Sequence, residues 1–332
     1  MSVVKRQKIG NDHGIVKATN GKPKGRKLYS PSIYLEGGHE GTVSTGKFNK
    51  NGSYLATGGF DKFINIWKLP TDEEEQCNVW CSQAHKNAVT CVRWINDDNL
   101  VSSSADSTLA FWDCETGDKV RNCKNSSIIN EIDTFESMVV SGDDDGMVKL
   151  WDPRQKSPLS TISNKFPILT CTFNHKGTNL YFSGIDPTIN TFDLRKLDTP
   201  LWKCQGPIDS ITSISLNSDD SMLVSRSTRG VVNVYNSKDF LPESVSRISP
   251  YSFEGAPADN EYKLIRSCFS NDNINIISGS DDKTVTMWNV SSRRMANKLA
   301  GHEGSVLDVD FHPTEKILLS TAVDGSIIVR EL

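Results

Sequence analysis

Histidine, serine or threonine, aspartate and tryptophan recur along this chain at regular distances. The histidine lies 21 or 22 residues before the aspartate, and the tryptophan follows the aspartate by six residues. This order favours a buried chain of hydrogen bonds, in which the aspartate accepts from the histidine ring, the histidine bonds the hydroxyl group, and the hydroxyl accepts from the indole N–H. Two sets are complete: His39, Thr57, Asp61 and Trp67, and His85, Ser102, Asp106 and Trp112.

Five more sets keep only part of this order. Phe182 replaces the hydroxyl residue of the fourth set, Arg229 the aspartate of the fifth, and Arg330 the tryptophan of the seventh. Units without a complete network must rely more on apolar packing, so we expect them to open more easily. Three members remain in each of the third, sixth and seventh sets: Ser141, Asp145 and Trp151; Ser278, Asp282 and Trp288; His302, Ser320 and Asp324.

The other residues that could carry chemistry favour no reaction. The run Asp143–Asp145 could suggest a metal, but the further oxygen ligands of such a site are missing, and a hairpin turn capped by Asp145 explains the run. His175 and His312 lie in turn sequences, where we expect exposed side chains. The chain contains no phosphate-binding glycine loop and no Gly-x-Ser-x-Gly elbow with a triad. We therefore predict no metal and no cofactor, and we rank an enzyme below a binding protein.

The elements that must position these side chains are β-strands. Apolar and polar residues alternate around each set, as in Phe63–Trp67 and Val285–Trp288, and this period of two is typical of strands. A repeat of about 40–45 residues is that of a WD-repeat blade, so we predict an all-β, seven-bladed WD-repeat β-propeller. The positions that end the seven sets are separated by 45, 39, 41, 43, 53 and 42 residues: Trp67, Trp112, Trp151, Phe192, Tyr235, Trp288 and Arg330.

The ring is predicted to close through the start of the repeat region. The last repeat lacks a fourth strand, whereas Ser32–Leu35 has no blade of its own. We therefore predict that this segment completes the last blade. The propeller is expected to span residues 31–332 after a basic arm at 1–30, with repeats at approximately 38–68, 84–113, 124–152, 165–193, 206–236, 263–289 and 301–331.

Charge divides the chain into two parts. Residues 1–30 hold eight Lys or Arg and one acid, a net charge of +7, so the rest carries −11 of the total of −4. An acidic body is a poor general binder of nucleic acid. We expect the arm to be disordered when free, and its residues 5–27 to act as a nuclear import signal, as a contact to the RNA backbone, or as an uninvolved tail.

Composition predicts a soluble intracellular protein. The 332 residues contain no apolar run long enough to span a membrane and no apolar stretch at the start that could act as a secretory signal. The eight cysteines form no paired framework, which favours reduced thiols. A hydrophobic content of 36% is enough for the core of one large domain.

Three segments carry a narrower resemblance, together with the basic stretch Val4–Lys8: Gly142–Arg154, Gly184–Arg195 and Ser291–His302. Through them the chain resembles the WD-repeat subunits of the U5 small nuclear ribonucleoprotein. This resemblance implies a non-catalytic scaffold in pre-mRNA splicing that is nuclear and monomeric within a large complex. It also implies docking on the large central U5 scaffold protein and on its GTPase neighbour.

A partner is expected to bind the face that carries the blade aspartates. Apolar residues clustered on that face would mark a docking patch, although some of them could instead line the central channel. A long insertion from Leu241 to Tyr262, with three prolines, is a second candidate contact. The candidate docking residues are Phe60, Leu169, Ile185, Ile265 and Leu307.

The alternative function is a substrate receptor of a cullin-RING ubiquitin ligase. Some WD-repeat receptors carry Trp-Asp-x-Arg at the end of a blade, with the arginine reaching the ligase adaptor. Trp151–Arg154 fits this pattern, with Arg154 as the adaptor contact, and Phe192–Arg195 fits it loosely. The pattern is weakly specific, because Trp-Asp is itself part of the repeat.

Overall fold

The computed structural model describes residues 28–71, 77–206, 209–242, 244–259, 261 and 263–332. These residues form 28 β-strands and no helix, as the period-two pattern predicts. No helix in this described part is therefore long and apolar enough to cross a membrane. In chain order the strands are β1 (Ser32–Leu35), β2 (Val43–Phe48), β3 (Tyr54–Gly59), β4 (Phe63–Lys68), β5 (Asn78–Gln83), β6 (Val89–Trp94), β7 (Asn99–Ser104), β8 (Thr108–Asp113), β9 (Asp118–Lys124), β10 (Ile129–Phe135), β11 (Met138–Asp143), β12 (Met147–Trp151), β13 (Ser160–Ser163), β14 (Ile168–Phe173), β15 (Asn179–Gly184), β16 (Thr188–Asp193), β17 (Trp202–Gln205), β18 (Ile211–Leu216), β19 (Met222–Ser227), β20 (Val232–Asn236), β21 (Ile248–Phe253), β22 (Ser267–Phe269), β23 (Asn275–Ser278), β24 (Val285–Asn289), β25 (Arg294–Leu299), β26 (Val306–Phe311), β27 (Ile317–Ala322) and β28 (Ile327–Glu331).

The strands form seven antiparallel sheets of four, and each sheet is one blade. Blades one to six are β2–β5, β6–β9, β10–β13, β14–β17, β18–β21 and β22–β25, each with its first strand innermost. Blade seven is β26–β28 with β1 as its outer strand, and Ser32 pairs with Arg330 while Leu35 pairs with Ile327. The predicted seven-bladed propeller and its closure by Ser32–Leu35 are therefore confirmed.

The hydrophobic core consists of slabs between neighbouring blades. One slab packs Ile64 and Ile66 of blade one against Val92 and Trp94 of blade two. Another joins blades seven and one and includes Leu319. Alternation along each strand places apolar side chains on both faces of a sheet, so every blade contributes to two slabs.

A β-bulge near the start of the inner strand recurs in six of the seven blades. The extra residue is polar in four blades, and its side chain donates a hydrogen bond to a carbonyl oxygen of the next blade. These bonds link adjacent inner strands around the channel. The four pairs are Ser44 with Val89 at 2.5 Å, Thr90 with Ile129 at 2.6 Å, Asn130 with Ile168 at 2.9 Å, and Thr212 with Ile265 at 2.9 Å.

The propeller has two faces, because consecutive antiparallel strands turn at opposite ends. The turn between the second and third strands of each blade lies on one face, which we call the aspartate face because it carries Asp61, Asp106 and Asp324. The connection between the third and fourth strands lies on the opposite face. A loop can therefore be assigned to a face from its place in the blade.

Candidate protein-interaction surface and the networks that support it

The blade-one set forms a continuous chain of hydrogen bonds. His39 Nδ1 lies 2.9 Å from Asp61 Oδ2, His39 Nε2 lies 2.9 Å from Thr57 Oγ1, and Trp67 Nε1 donates to the same hydroxyl at 2.9 Å. Burial acts to raise the pKa of Asp61, but the hydrogen bond and charge of His39 and two backbone N–H donors outweigh it and lower that pKa. The Asp61 carboxylate thus stays ionised and forms a hydrogen bond with the His39 ring.

Blade two repeats this geometry with one addition. His85 Nδ1 lies 3.3 Å from Asp106 Oδ2, His85 Nε2 lies 2.8 Å from Ser102 Oγ, and Trp112 Nε1 donates to Ser102 at 2.9 Å. The hydroxyl of Thr108 also lies 3.0 Å from His85 Nδ1. Burial acts to raise the pKa of Asp106, but its bonds to His85 and Thr108 and to a backbone N–H lower it. The four side chains named from the sequence lie together in both blades.

In blade seven a serine lies between the histidine and the aspartate. His302 Nε2 lies 2.8 Å from Ser320 Oγ, and His302 Nδ1 contacts the hydroxyl of Ser326. Ser326 in turn donates to Asp324 at 2.6 Å. Burial lowers the pKa of His302 to about 4, although the charge of Asp324 acts in the opposite direction. His302 is therefore held as a neutral ring.

In blade three the prediction for Asp145 is wrong, because Asp143 takes its place. Asp145 is exposed, whereas Asp143 is fully buried and accepts bonds at 2.8 Å from both Asn125 Nδ2 and the Met147 backbone N–H. Lys149 Nζ lies 3.4 Å from the same carboxylate. Blade three has no histidine that could form a hydrogen bond with Asp145. A pair between Lys149 and Asp143 takes the place of the histidine–aspartate pair of blade one. Ser141 and Trp151 bond as predicted from the blade pattern, at 2.8 Å.

In blade six the predicted bond between Ser278 and Trp288 is absent. The indole of Trp288 donates to the Glu254 carbonyl at 2.8 Å, and Ser278 Oγ accepts from Arg226 at 3.2 Å. Asp282 pairs with Lys298 instead of a histidine. The long segment that precedes this blade places the Glu254 carbonyl beside the Trp288 indole. The indole N–H therefore has an acceptor without the hydroxyl of Ser278.

Blades four and five have neither the histidine nor the full set of partners. Phe182 and Phe192 stack in blade four, with centroids 5.5 Å apart and an interplanar angle of 16°. The two rings occupy the positions of the hydroxyl residue and the tryptophan, so an aromatic pair replaces the polar chain. In blade five Arg229 forms an exposed ion pair with Asp209 at 3.0 Å.

A second buried network fills the central channel and was missed by the sequence reasoning. Arg266 of blade six reaches Glu131 of blade three at 3.2 Å, and it donates to the carbonyls of Ser44 at 3.0 Å and Thr90 at 3.1 Å. Because blade six adjoins none of these blades, this side chain crosses the channel. Charged residues alternating along the inner strands were the signal that could have revealed it.

Two more cations complete the channel network: Lys47 and Arg93. Lys47 Nζ lies 2.9 Å from Asp308 Oδ1, and Arg93 bonds Glu131 at 3.0 Å. Burial acts to raise the pKa of Asp308, but the charges of Lys47 and Arg266 lower it. Buried ion pairs therefore join the inner strands across the channel, which favours binding on the faces over threading through the ring.

The structure exposes two of the five predicted docking residues and places them far apart. Phe60 is 57% exposed and Ile185 is 48% exposed, and both lie on the aspartate face. They belong to blades one and four, so one small ligand cannot contact both of them. The Ile185 backbone N–H donates to the Pro167 carbonyl at 3.2 Å, which brings exposed Phe166 beside it. Phe166, half-buried Leu169 and Ile185 form what we call the blade-four patch.

Ile265 and Leu307 are buried, so their prediction as exposed docking residues is wrong. The carbonyl of Ile265 accepts the interblade bond from Thr212, which shows that Ile265 occupies the place of Val89 and Ile129, the buried first residues of other inner strands. Leu307 is the bulge residue of β26, and its side chain packs inward. Both side chains are therefore inaccessible to a partner at the surface.

The Arg154 side chain is 82% exposed, but its guanidinium group is hydrogen-bonded to the carboxylate of Asp152 in the same turn. Its Nε and Nη2 atoms bond Asp152 at 2.9 and 2.7 Å, and this pairing lowers the pKa of that carboxyl to about 2. Arg195 holds Asp193 in the same way at 3.0 and 2.7 Å. Two blades thus share the geometry, so the motif has a local structural role.

The remaining predictions concern turns, metal ligands and the arm. His175 is exposed and lies 2.7 Å from Asp220, whereas His312 is buried against Phe48, so the prediction of an exposed His312 is wrong. No group of three or more His, Cys, Asp or Glu that could hold a metal occurs in the part of the chain that the structure describes. The basic arm, including residues 5–27, lies outside the described residues.

Comparisons with known proteins agree with the geometry. The model "WD domain, G-beta repeat" matches residues 118–152, 252–289 and 294–330, and "DDB1- and CUL4-associated factor 12 beta propeller" matches residues 37–134. The chain is 32% identical over 335 residues to pre-mRNA-splicing factor cwf17 of Schizosaccharomyces pombe, across 99% of this chain and 96% of that protein. It is 36% identical over 317 residues to the U5 small nuclear ribonucleoprotein 40 kDa protein of Homo sapiens, across 94% and 87% of the two chains.

The chain belongs to the WD-repeat family that contains these two proteins. The resemblance inferred from the sequence segments is confirmed by similarity across almost the full length of both relatives. A more distant member, the WD repeat domain-containing protein 83 homolog of Dictyostelium discoideum, is 24% identical over 322 residues. Family membership explains the repeat pattern and the shared blade networks.

Proposed function

We propose that this protein is a non-catalytic scaffold subunit of the U5 small nuclear ribonucleoprotein and acts in pre-mRNA splicing in the nucleus. The observation that carries this proposal is the 36% identity to the human U5 40 kDa protein across 94% of the chain. The site geometry supports a binding role, since the ring nitrogens of His39, His85 and His302 are all engaged with side chains of their own blades. Buried, satisfied networks stiffen a scaffold, and they leave none of these three histidines free to act as a base.

The proposed partners are the large central U5 scaffold protein and its GTPase neighbour. The blade-four patch is the surface that we assign to one of them, because exposed apolar side chains on a rigid face are typical of hot spots. Phe166 and Ile185 stand at its centre, supported by the bond from Ile185 to Pro167. The acidic body disfavours RNA as the main ligand of this surface.

A pull-down from nuclear extract tests this function. Tagged wild-type protein is expected to enrich U5 RNA together with the large scaffold protein, as read by RNA sequencing and mass spectrometry. The double variant Phe166→Asp/Ile185→Asp is expected to lose at least about tenfold of this enrichment, because it places charge in an apolar contact. Val120→Asp, on the exposed outer strand β9, is the matched control and should bind normally. A wild-type protein that recovers no U5 RNA contradicts the proposal.

A second candidate is the substrate receptor of a cullin-RING ligase. The match of residues 37–134 to the propeller of a DDB1- and CUL4-associated factor favours it. Recovery of a cullin adaptor without small nuclear RNA would move this function to first place. An Arg154→Ala variant that keeps every partner of the wild type would count against it, because the adaptor contact requires that arginine.

A further inference from the structure

A cleft of about 490 Å³ opens on the aspartate face of blade two. It lies between the connection from β5 to β6, the turn between β7 and β8, and the outer strand β9. A volume of this size is within the range of sites that bind small ligands. The lysine and carboxylate side chains that line this blade-two cleft are Lys86, Lys119, Lys124 and Asp106.

The three lysines of the cleft have no ion-pair partner. In the part of the chain that the structure describes, no carboxylate oxygen lies within 4.0 Å of their Nζ atoms. Lysines beside other blade turns are paired, since Lys149 contacts Asp143 in blade three and Lys298 contacts Asp282 in blade six. The blade-two cleft therefore carries a local excess of positive charge.

Asp106 does not cancel this excess by an ion pair, because its oxygens are already bonded within blade two. Oδ2 lies 3.3 Å from His85 Nδ1 and accepts from the Lys86 backbone N–H at 2.8 Å. Oδ1 accepts from the backbone N–H and the hydroxyl of Thr108, at 3.0 and 2.6 Å. The blade-two network thus holds the carboxylate in place and forms part of the cleft wall.

Lys119 is positioned before any ligand binds. Its Nζ donates to the Ala84 carbonyl at 2.5 Å and lies 4.6 Å from the ring centroid of Trp112. Partial burial lowers the pKa of Lys119, although the charge of Asp106 acts in the opposite direction. A bound anion would favour the charged form of this lysine, and a cation that is already positioned loses little conformational entropy on binding it.

The uncharged lining of the cleft favours a peptide over a nucleic acid. The side-chain amides of Gln83 and Asn122 are exposed and have no hydrogen-bond partner among the described residues. An amide carries both donors and an acceptor, so these two side chains match the backbone groups that flank an anionic side chain. None of the described residues that line the cleft is Phe, Tyr or Trp, so it offers no ring on which a base could stack.

We propose that the blade-two cleft binds a phosphate monoester carried by a side chain of a protein partner. A phosphate group has about two negative charges and three strong acceptor oxygens, so it offers one acceptor to each of the three lysines. A carboxylate offers less charge and one oxygen fewer. Phosphorylation of the partner would therefore control whether it binds this face of the ring.

Fluorescence anisotropy with the full chain tests this site. The labelled probes are a degenerate peptide library with one fixed phosphoserine, the same library with serine, and a single-stranded oligouridylate. The phosphoserine library is expected to bind at least about tenfold more tightly than the serine library. Inorganic phosphate should compete at least about tenfold more weakly than unlabelled phosphopeptide, because it lacks the flanking backbone. Equal competition would assign the site to free phosphate and overturn the protein partner.

Charge reversal at two exposed lysines shows whether the cleft is responsible. Lys86→Glu/Lys124→Glu leaves Lys119 in place and is expected to weaken binding of the phosphoserine library by about tenfold or more. Lys176→Glu/Lys203→Glu, at exposed positions of blade four, changes the net charge equally and should bind as wild type.

Three further results would overturn the proposal. They are equal binding of the two peptide libraries, an equal effect of the two double variants, and tighter binding of the oligouridylate that the blade-two variant abolishes. None of these probes comes from U5, so the outcome is separate from that of the nuclear pull-down.

Discussion

Blade one and blade four occupy the same kind of place in the ring but are held together by different interactions. In blade one the indole N–H of Trp67 donates to the hydroxyl of Thr57, which also forms a hydrogen bond with His39. In blade four the same positions carry Phe182 and Phe192, which stack directly. The backbone registers are alike, so the fold tolerates either a polar chain or an aromatic pair at this point. The difference shows that a blade does not need one particular set of residues. It needs close packing at this point and a hydrogen-bond partner for every buried polar group.

The largest effect expected from this comparison is in blade four. Phe182→Ala removes one ring of the stack and leaves a cavity, because Phe182 is fully buried. We expect a loss of about 3–5 kcal/mol in the free energy of unfolding, measured by denaturant titration. A loss below about 1 kcal/mol would show that the aromatic pair does not support this blade.

A smaller effect is expected when the blade-one carboxylate is removed. Asp61→Ala leaves His39 Nδ1 and the Glu40 backbone N–H without their acceptor, which should cost about 1–3 kcal/mol. Asp145→Ala is the matched control in blade three, where the carboxylate is exposed, and should change stability by less than about 0.5 kcal/mol. Equal losses in the two variants would contradict the assignment of Asp143 as the buried acid of blade three.

The pH dependence of stability should depend on the buried histidine of blade seven. The pKa of His302 is lowered from 6.5 to about 4 in the folded state by burial, so the unfolded chain binds more protons between these values. The stabilisation is fully present above pH 6.5 and is lost as the pH falls towards 4, with a loss on the order of 1–2 kcal/mol at pH 5. His302→Gln should flatten the pH dependence of the melting temperature between pH 7 and pH 5, and an unchanged dependence would contradict the burial of a neutral His302.

The smallest effect is expected in blade five. Arg229 is largely exposed and pairs only with Asp209 at the surface, so Arg229→Ala should change the free energy of unfolding by less than about 0.5 kcal/mol. Thermal melts at low and high salt check this expectation. A loss comparable to that of Asp61→Ala would mean that blade five has a network that the contacts do not explain.

The repeat pattern was sufficient to predict the fold and the closing strand. Each blade carries the same alternation, and Ser32–Leu35 is the segment without a blade. The prediction of Asp145 as the buried aspartate of blade three was wrong because the repeat pattern fixes only the spacing along the sequence. The carboxylate that is buried is the one that finds hydrogen-bond donors, and in blade three this is Asp143. In blade one Gly59 stands where blade three has Asp143, so blade three has a second carboxylate, which blade one lacks, and that carboxylate takes the buried position.

The docking residues and the channel network were harder to predict, because both depend on contacts between distant blades. Ile265 and Ile185 are both apolar residues near a loop, but Ile265 is buried beside the neighbouring blade, where its carbonyl accepts from Thr212, whereas Ile185 is exposed. Arg266 likewise meets Glu131, a partner 135 residues away in sequence. Local periodicity carries no information about such pairs.

The pairing of β1 with β28 has a consequence for biosynthesis. β1 leaves the ribosome before the other strands, yet its partner β28 is made only after 26 further strands have emerged. Until then Ile327–Glu331 cannot cover the apolar residues of Ser32–Leu35, and the nascent chain carries an open sheet edge at each end of a growing arc. The ring should therefore become resistant to proteolysis in a single late step, when the ends of the arc meet.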